Sequence, residues 1–227
     1  MCRNAEYGWP MQRFQSLLAF VTIGLGLALG APARAQETAP QVVAFGDSLS
    51  AGYGVGPGES FPDQLQAALN AAGHPARVVN AGVSGDTTTG GLARLDWSVP
   101  ADAQVVIVEL GANDALRGVS PDVTRNNLDA ILTKLKARPN TQVLLAGMIS
   151  PPNMGPDYAA KFNPIYGELA AKHGVPLYPF FLEGVAGNGS LNQADYMHPN
   201  AQGVAVIVKG ILPQVIKALE ASARAQG

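Results

Sequence analysis

The chain has 227 residues, enough for one sizeable domain and short for two. With 47% hydrophobic and 14% charged residues, wholesale disorder is excluded. A formal net charge of −2 with no Lys/Arg cluster argues against a nucleic-acid partner.

The elements read as follows in chain order. Arg13 precedes an apolar run at residues 17–31, followed by Ala33-Arg34-Ala35, the pattern of a secretory signal peptide cut after Ala35. The run holds 15 residues, below the ~20 that a spanning helix needs, so an uncleaved anchor is the lesser reading. Met11 lies nearer the run than Met1 and is an alternative start. Removing the leader takes Arg3, Arg13, Arg34 and Glu6 with it and leaves 12 basic and 16 acidic residues, a net charge of −4. Cys2, the only cysteine, goes too, so the mature chain has no disulfide, thiolate nucleophile or cysteine metal ligand.

Residues 41–45 read as a strand that ends abruptly at Gly46-Asp47-Ser48. Residues 61–72 read as a helix with Leu65, Ala68, Leu69 and Ala72 on one face and Gly73 as its stop. Residues 77–79 form a short strand before a Gly/Thr-rich segment at 82–91, and 104–110 is an apolar run with the continuity of a strand buried on both faces. Ser120-Pro121-Asp122 has the form of a helix start, and Leu128, Ile131, Leu132 and Leu135 make the apolar stripe that follows. A strand at 142–149 stops at Pro151-Pro152, a helix at 157–173 is divided or kinked by Pro164, and 175–180 is a fifth strand. The last helix carries Val204, Ile207, Val208, Ile211, Leu212, Val215, Ile216 and Leu219 at helical spacing, with a bend expected at Pro213. Alternating strands and helices imply a single three-layer α/β/α domain around a five-stranded parallel sheet.

In such a sheet the ligand site lies beyond the carboxyl ends of the strands. Gly46-Asp47-Ser48-Leu49, Asn80-Ala81-Gly82 and Gly111-Ala112-Asn113-Asp114 follow strands one, two and three, and Asp195-Tyr196-Met197-His198-Pro199-Asn200 precedes the last helix. Of three histidines, His74 and His173 are placed like ordinary helix C-terminal residues. Only His198 has a carboxylate three residues before it. Asp195 could accept from Nδ1–H and leave Nε2 free as a base, although a surface Asp–His pair has the same spacing. Ser48, on a tight strand-to-loop turn, is the candidate nucleophile; it lacks the G-x-S-x-G context and depends on its partners. Ser50 is a weaker neighbour. The backbone N–H groups of Ser48 and Gly82 and the Asn113 carboxamide are candidate oxyanion donors, against an Asx turn as the plain reading of Asn113.

These four blocks, in this order, resemble those of the SGNH/GDSL hydrolase family. Ser84-Gly85-Asp86-Thr87-Thr88, Glu109-Leu110-Gly111-Ala112-Asn113-Asp114 and His198-Pro199-Asn200 are similar to its bacterial arylesterase branch, close to the periplasmic thioesterase I/lysophospholipase L1 group. The resemblance runs from about Val42 to Gly203. It implies a flavodoxin-like fold, no cofactor, a small-molecule ester or acyl substrate, a periplasmic address, and catalytic roles for Ser48, Asp195 and His198. The loop at 184–193 has no matching motif.

Other readings have their own residues. Asp47 and Asp114 could suggest the paired carboxylates of a glycosidase, but nothing fixes their separation, and they read as loop-shaping hydrogen-bonders. Glu109 reads as a buried structural acid. Tyr53, Trp97 and Phe162 are candidates for an acyl pocket or for ordinary packing. Gly85-Asp86-Thr87-Thr88-Thr89-Gly90 could cradle a phosphate at a helix N-terminus, which would make the chain a nucleotide-binding module. That reading leaves Asp195 and His198 without a task. A catalytically dead lipid-binding relative would lack the Ser, Asn or His, and all three are present.

Overall fold

A computed structural model describes residues 39–226; the expected leader lies outside them. Five parallel strands form one sheet in the order β2-β1-β3-β4-β5: β1 Gln41–Gly46, β2 Arg77–Gly82, β3 Val105–Glu109, β4 Gln142–Ala146 and β5 Leu177–Tyr178. The helices are α1 Ser48–Ala51, α2 Phe61–Ala71, α3 Thr88–Ser98, α4 Ala112–Leu116, α5 Pro121–Lys136, α6 Pro156–Phe162, α7 Ile165–His173 and α8 Ala201–Gln226. α2 packs with α8 on one face of the sheet, and α3, α5 and α7 pack in a row on the other. This is the expected three-layer architecture.

Every residue of β1 and β3 is buried, as strands covered on both faces require. In α5 the stripe Leu128, Ile131, Leu132 and Leu135 is fully buried, and Ser120 caps the helix by accepting from the Asp122 N–H. Asn163-Pro164 divides the predicted 157–173 helix into α6 and α7. Pro213, by contrast, does not interrupt α8.

Register positions the site. Gly46 at the end of β1 lies opposite Gly82 of β2 and Glu109 of β3, so the loops after all three strands leave from one edge. β1 feeds β2 on one side while β3 lies on the other, and this reversal opens a crevice between the loops after β1 and β3.

Three elements differ from the sequence reading. β4 ends at Ala146 instead of residue 149, and residues 148–152 turn toward the crevice. β5 is two residues long because Pro176 and Pro179, which have no N–H to give a ladder, flank it. The segment at 82–91 holds the start of a full helix, α3, whose Gly90 and Gly91 hide it from propensity. Gly91 lets Leu110 pack against the helix, since a Cβ would lie 2.3 Å from Leu110 Cδ1.

Candidate active site

Ser48 opens the four-residue α1, with Asp47 as its cap: Asp47 Oδ1 accepts from the Leu49 N–H at 3.0 Å. The turn needs glycine before it, because a Cβ on Gly46 would fall 2.3 Å from both Glu109 Oε2 and Ser50 Oγ. Ser50 is fully buried and donates to Glu109 Oε2 at 2.8 Å. It therefore braces the turn, and Ser48 lines the cavity.

Asp195, His198 and Ser48 form a continuous chain of contacts. His198 Nδ1 lies 2.6 Å from Asp195 Oδ2, and His198 Nε2 lies 3.0 Å from Ser48 Oγ, across 150 residues of sequence. Asp195 Oδ1 also accepts from the N–H groups of Met197 and His198, each at 3.0 Å. The His198 N–H and ring, then the Met197 N–H, hold the Asp195 carboxyl down to about 2 from the usual 3.8. An ionised Asp195 fixes the tautomer with a proton on Nδ1 and leaves Nε2 as the acceptor for the serine proton. The strip is anchored on both sides. The Gln193 N–H donates to the His198 carbonyl at 2.8 Å, and Asn200 Oδ1 accepts from Gln202 and Gly203 at the start of α8. The Tyr53 ring lies 4.6 Å from the imidazole, centroid to centroid.

Asn113 sits on α4, which starts after Gly111 in the left-handed region (φ 116). One of its Nδ2 hydrogens goes to Asp47 Oδ2 at 3.0 Å, and the residue faces the cavity beside Ser48. Asp47 is wholly buried, and burial pushes its carboxyl up to about 6 against the Leu49 N–H, Asn113 and His198, which lower it. Glu109 is also wholly buried and accepts from the Asp47 N–H at 3.2 Å; burial, and next the Asp47 charge, push its carboxyl well above the carboxylate range.

Gly82, an expected oxyanion donor, has its N–H bonded to Asn80 Oδ1 at 3.0 Å and is not part of the cavity lining. The glycine serves a close approach instead, since a Cβ would lie 2.2 Å from the Ala51 nitrogen. The next glycine, Gly85 (φ 79), has its carbonyl held at 2.7 Å by Arg117, the residue that ends α4.

The remaining candidates separate cleanly. His173 Nε2 lies 2.6 Å from Asp129, away from the site. Asp114 is buried and accepts from Thr88 N at 2.8 Å, Thr88 Oγ1 at 2.5 Å and Thr124 Oγ1 at 3.2 Å. That carboxylate occupies the N-terminus of α3, where the nucleotide reading would put a phosphate. Phe162 is core, stacked on Tyr158, and Trp97 is exposed on α3; neither lines the cavity.

Sequence reasoning missed two features. Arg94, 5% exposed, reaches Asp86 Oδ2 at 2.6 Å and the Ala81 and Gly46 carbonyls at 2.7 Å each, joining the ends of β1 and β2 beneath the site. Its neighbours in sequence, Ala93 and Leu95, give no hint of this. The second is a cavity of about 520 Å³ beside Ser48 and His198, whose apolar wall includes Met148, Ile149, Pro151, Phe180 and Leu182. The unmatched loop at 184–193 supplies Ala186, Gly187 and Asn192 to it.

Residues 44–206 match the model of the GDSL-like lipase/acylhydrolase family. The chain is 40% identical over 179 residues to esterase TesA of Pseudomonas aeruginosa, covering 78% of this chain and 89% of that one. It is 40% identical over 163 residues to thioesterase 1/protease 1/lysophospholipase L1 of Escherichia coli K12, covering 71% and 76%. Among solved structures, AlinE4, an SGNH-hydrolase family esterase, superposes with a TM-score of 0.67 at 48% identity over 80% of this chain and 97% of that one. With the family model spanning most of the described residues and the four sequence blocks meeting at one sheet edge, the chain belongs to the GDSL-like lipase/acylhydrolase family, the SGNH hydrolases.

Proposed function

We propose that the protein is a serine esterase that cleaves carboxylic esters through an acyl-enzyme on Ser48. The observation that carries this reading is the Asp195–His198–Ser48 chain, with steps of 2.6 and 3.0 Å, opening on a cavity with an apolar wall. A cavity of about 520 Å³ is of small-ligand size.

His198 Nε2 takes the Ser48 proton as Oγ attacks the acyl carbon. The oxyanion faces the Ser48 N–H and the Asn113 Nδ2 hydrogen that Asp47 does not use. The third donor is proposed to come from the segment at the end of β2, where the Gly82 N–H is taken by Asn80 and Arg117 ties the Gly85 peptide to the helix that carries Asn113. Collapse breaks the ester C–O bond, and His198 returns the proton to the leaving alcohol. Water, activated by His198, then releases the acid and restores Ser48. Asp195 orients the imidazole and stabilises its charged form throughout. The apolar wall of Met148, Phe180 and Leu182 suits an acyl chain.

Acyl thioesters and lysophospholipids pass through the same steps and form the second reading, favoured by the similarity to thioesterase 1/lysophospholipase L1. Residues 1–35 are proposed as a removable leader that exports the enzyme, to the periplasm on the family resemblance.

The test is kcat/KM for residues 36–227 on p-nitrophenyl esters of increasing acyl length, with Ser48→Ala in parallel. Turnover that the variant loses supports the esterase, and the acyl-length optimum separates a small-ester enzyme from one for long acyl chains. Absence of turnover on every ester, with turnover of thioesters or lysophospholipids, selects the second reading.

A further inference from the structure

Tyr196 is the only non-glycine residue in the left-handed region among the described residues, at φ 58. It stands inside an Asx turn in which Asp195 Oδ1 accepts from both Met197 N and His198 N. Glycine or asparagine takes the left-handed conformation at little steric cost, whereas a bulky side chain there is an outlier. A turn that served only to aim His198 would have no use for an aromatic ring.

The ring has a position that suggests a task. Tyr196 lines the cavity yet is 74% exposed, so it stands at the mouth and not in the depth. Its edge lies over Gly189, where a Cβ would sit 3.3 Å from Tyr196 Cε1; the bare backbone of that loop seats the ring. Leu116, Ile149 and Met197, each about half exposed, also stand at the rim. Phe180 and Leu182 are less exposed than these, and Met148 only 3%.

The direction of reaction decides which half of an ester the rim meets. His198 must hand its proton to the leaving oxygen, so the alcohol half departs on the His198 side, while the deep apolar wall receives the acyl half. We infer that Tyr196 is a specificity-determining residue whose ring forms the wall for the alcohol half of the substrate and favours alcohols that bear a flat apolar ring. This rests on the esterase reading and adds to it. The backbone strain at Tyr196 is then tolerated for the sake of a binding surface beside the proton donor.

Benzyl acetate and ethyl acetate share an acyl group and a primary alkoxide leaving group and differ in the ring. The experiment compares kcat/KM for this pair in the wild-type enzyme, Tyr196→Phe and Tyr196→Asn, and follows hydrolysis of the common acetyl-enzyme in single turnover. Asparagine keeps the left-handed turn; phenylalanine keeps the ring. Tyr196→Asn is expected to lower the benzyl/ethyl ratio about three- to tenfold, the span of one aromatic pair, with deacylation unchanged. Tyr196→Phe is expected to keep the ratio. An equal loss on both esters, accompanied by slower deacylation, would reduce Tyr196 to a structural part and overturn the inference. A loss that follows acyl length and not the alcohol would also overturn it. If Tyr196→Asn does not fold, Tyr196→Gly replaces it with the same expectations. Wild-type turnover with an unchanged ratio in the variants sinks this inference alone, whereas no wild-type turnover of any ester sinks the esterase reading beneath it.

Discussion

Asn113 Nδ2 donates to Asp47 Oδ2 at 3.0 Å, so the carboxylate next to Ser48 holds the side chain proposed to face the oxyanion. The two residues are 66 positions apart and meet only because β1 and β3 are neighbours in register. Each loop thus sets the other.

The amide of Asp47→Asn has one oxygen for two donors, so it can keep the Leu49 cap or the Asn113 tether but not both. Losing the tether leaves Asn113 free to rotate. We expect kcat to fall roughly ten- to a hundredfold, less than the 10²–10³ of removing an oxyanion donor outright. Asn113→Ala should reach that larger loss. Steady-state kinetics on one p-nitrophenyl ester decides both, and a fall below about threefold for either would detach the pair from the chemistry.

Glu109 gives a pH dependence of known sign. Its carboxyl lies well above its usual 4.5 in the fold because it is buried and faces Asp47. As pH rises past the ordinary carboxylate range, the unfolded chain releases this proton first, so the contribution of Glu109 to stability falls with increasing pH. Glu109→Gln keeps an acceptor for Ser50 and the Asp47 N–H and carries no charge. Its Tm relative to wild type should therefore rise as pH goes from 4.5 toward neutrality, in parallel thermal scans. A constant difference would mean that Glu109 does not titrate on unfolding.

Asp195 acts in the opposite sense. Its carboxyl is held down to about 2, so its stabilising contribution is present above the usual 3.8 and is lost as pH falls through about 2. The side chain is one-third exposed, so solvent screening keeps this contribution small. Activity is the sharper readout. Asp195→Asn should lower kcat by roughly 10²–10⁴, because the amide no longer stabilises the imidazolium. Its melting temperature at neutral pH should change little, and a large drop would mark Asp195 as a folding residue first.

Arg94 is a structural prediction. Three of its guanidinium nitrogens bind Asp86, Ala81 O and Gly46 O, and its Cζ lies 4.3 Å from the Phe45 ring centroid. Arg94→Met strips the nearly buried Asp86 carboxylate of its cation and the Ala81 and Gly46 carbonyls of a donor, which should cost about 3–5 kcal/mol in urea unfolding. Arg94→Lys should recover part of that, since one ammonium cannot span three acceptors.

Much of this architecture was legible in the sequence because hydrophobic periodicity reports burial. The fully buried β1 and β3 read as continuous apolar runs, and the α5 stripe read as one face of a helix. Ser48 and Asn113 were legible because they stand just past strand ends, and Asp195 and His198 because a carboxylate precedes a histidine by three residues ahead of the last helix. What escaped has local causes. Gly90 and Gly91 are poor helix formers, and α3 exists because Thr87 and Asp114 cap it and Leu110 packs on Gly91. Gly82 ends β2 and Gly85 stands three residues on, and only their hydrogen-bond partners tell their roles apart. The cavity wall draws on residues between 148 and 187, which no local pattern unites.

The central claim is that Ser48 Oγ, activated by His198, forms the covalent intermediate. A p-nitrophenyl phosphonate offered to the wild-type enzyme and to Ser48→Ala, with peptide mass spectrometry of the product, tests it most directly. One adduct per chain on Ser48, one equivalent of p-nitrophenolate released, and neither in the variant is the predicted result. An adduct on another residue, or turnover of esters that persists in Ser48→Ala, would contradict it.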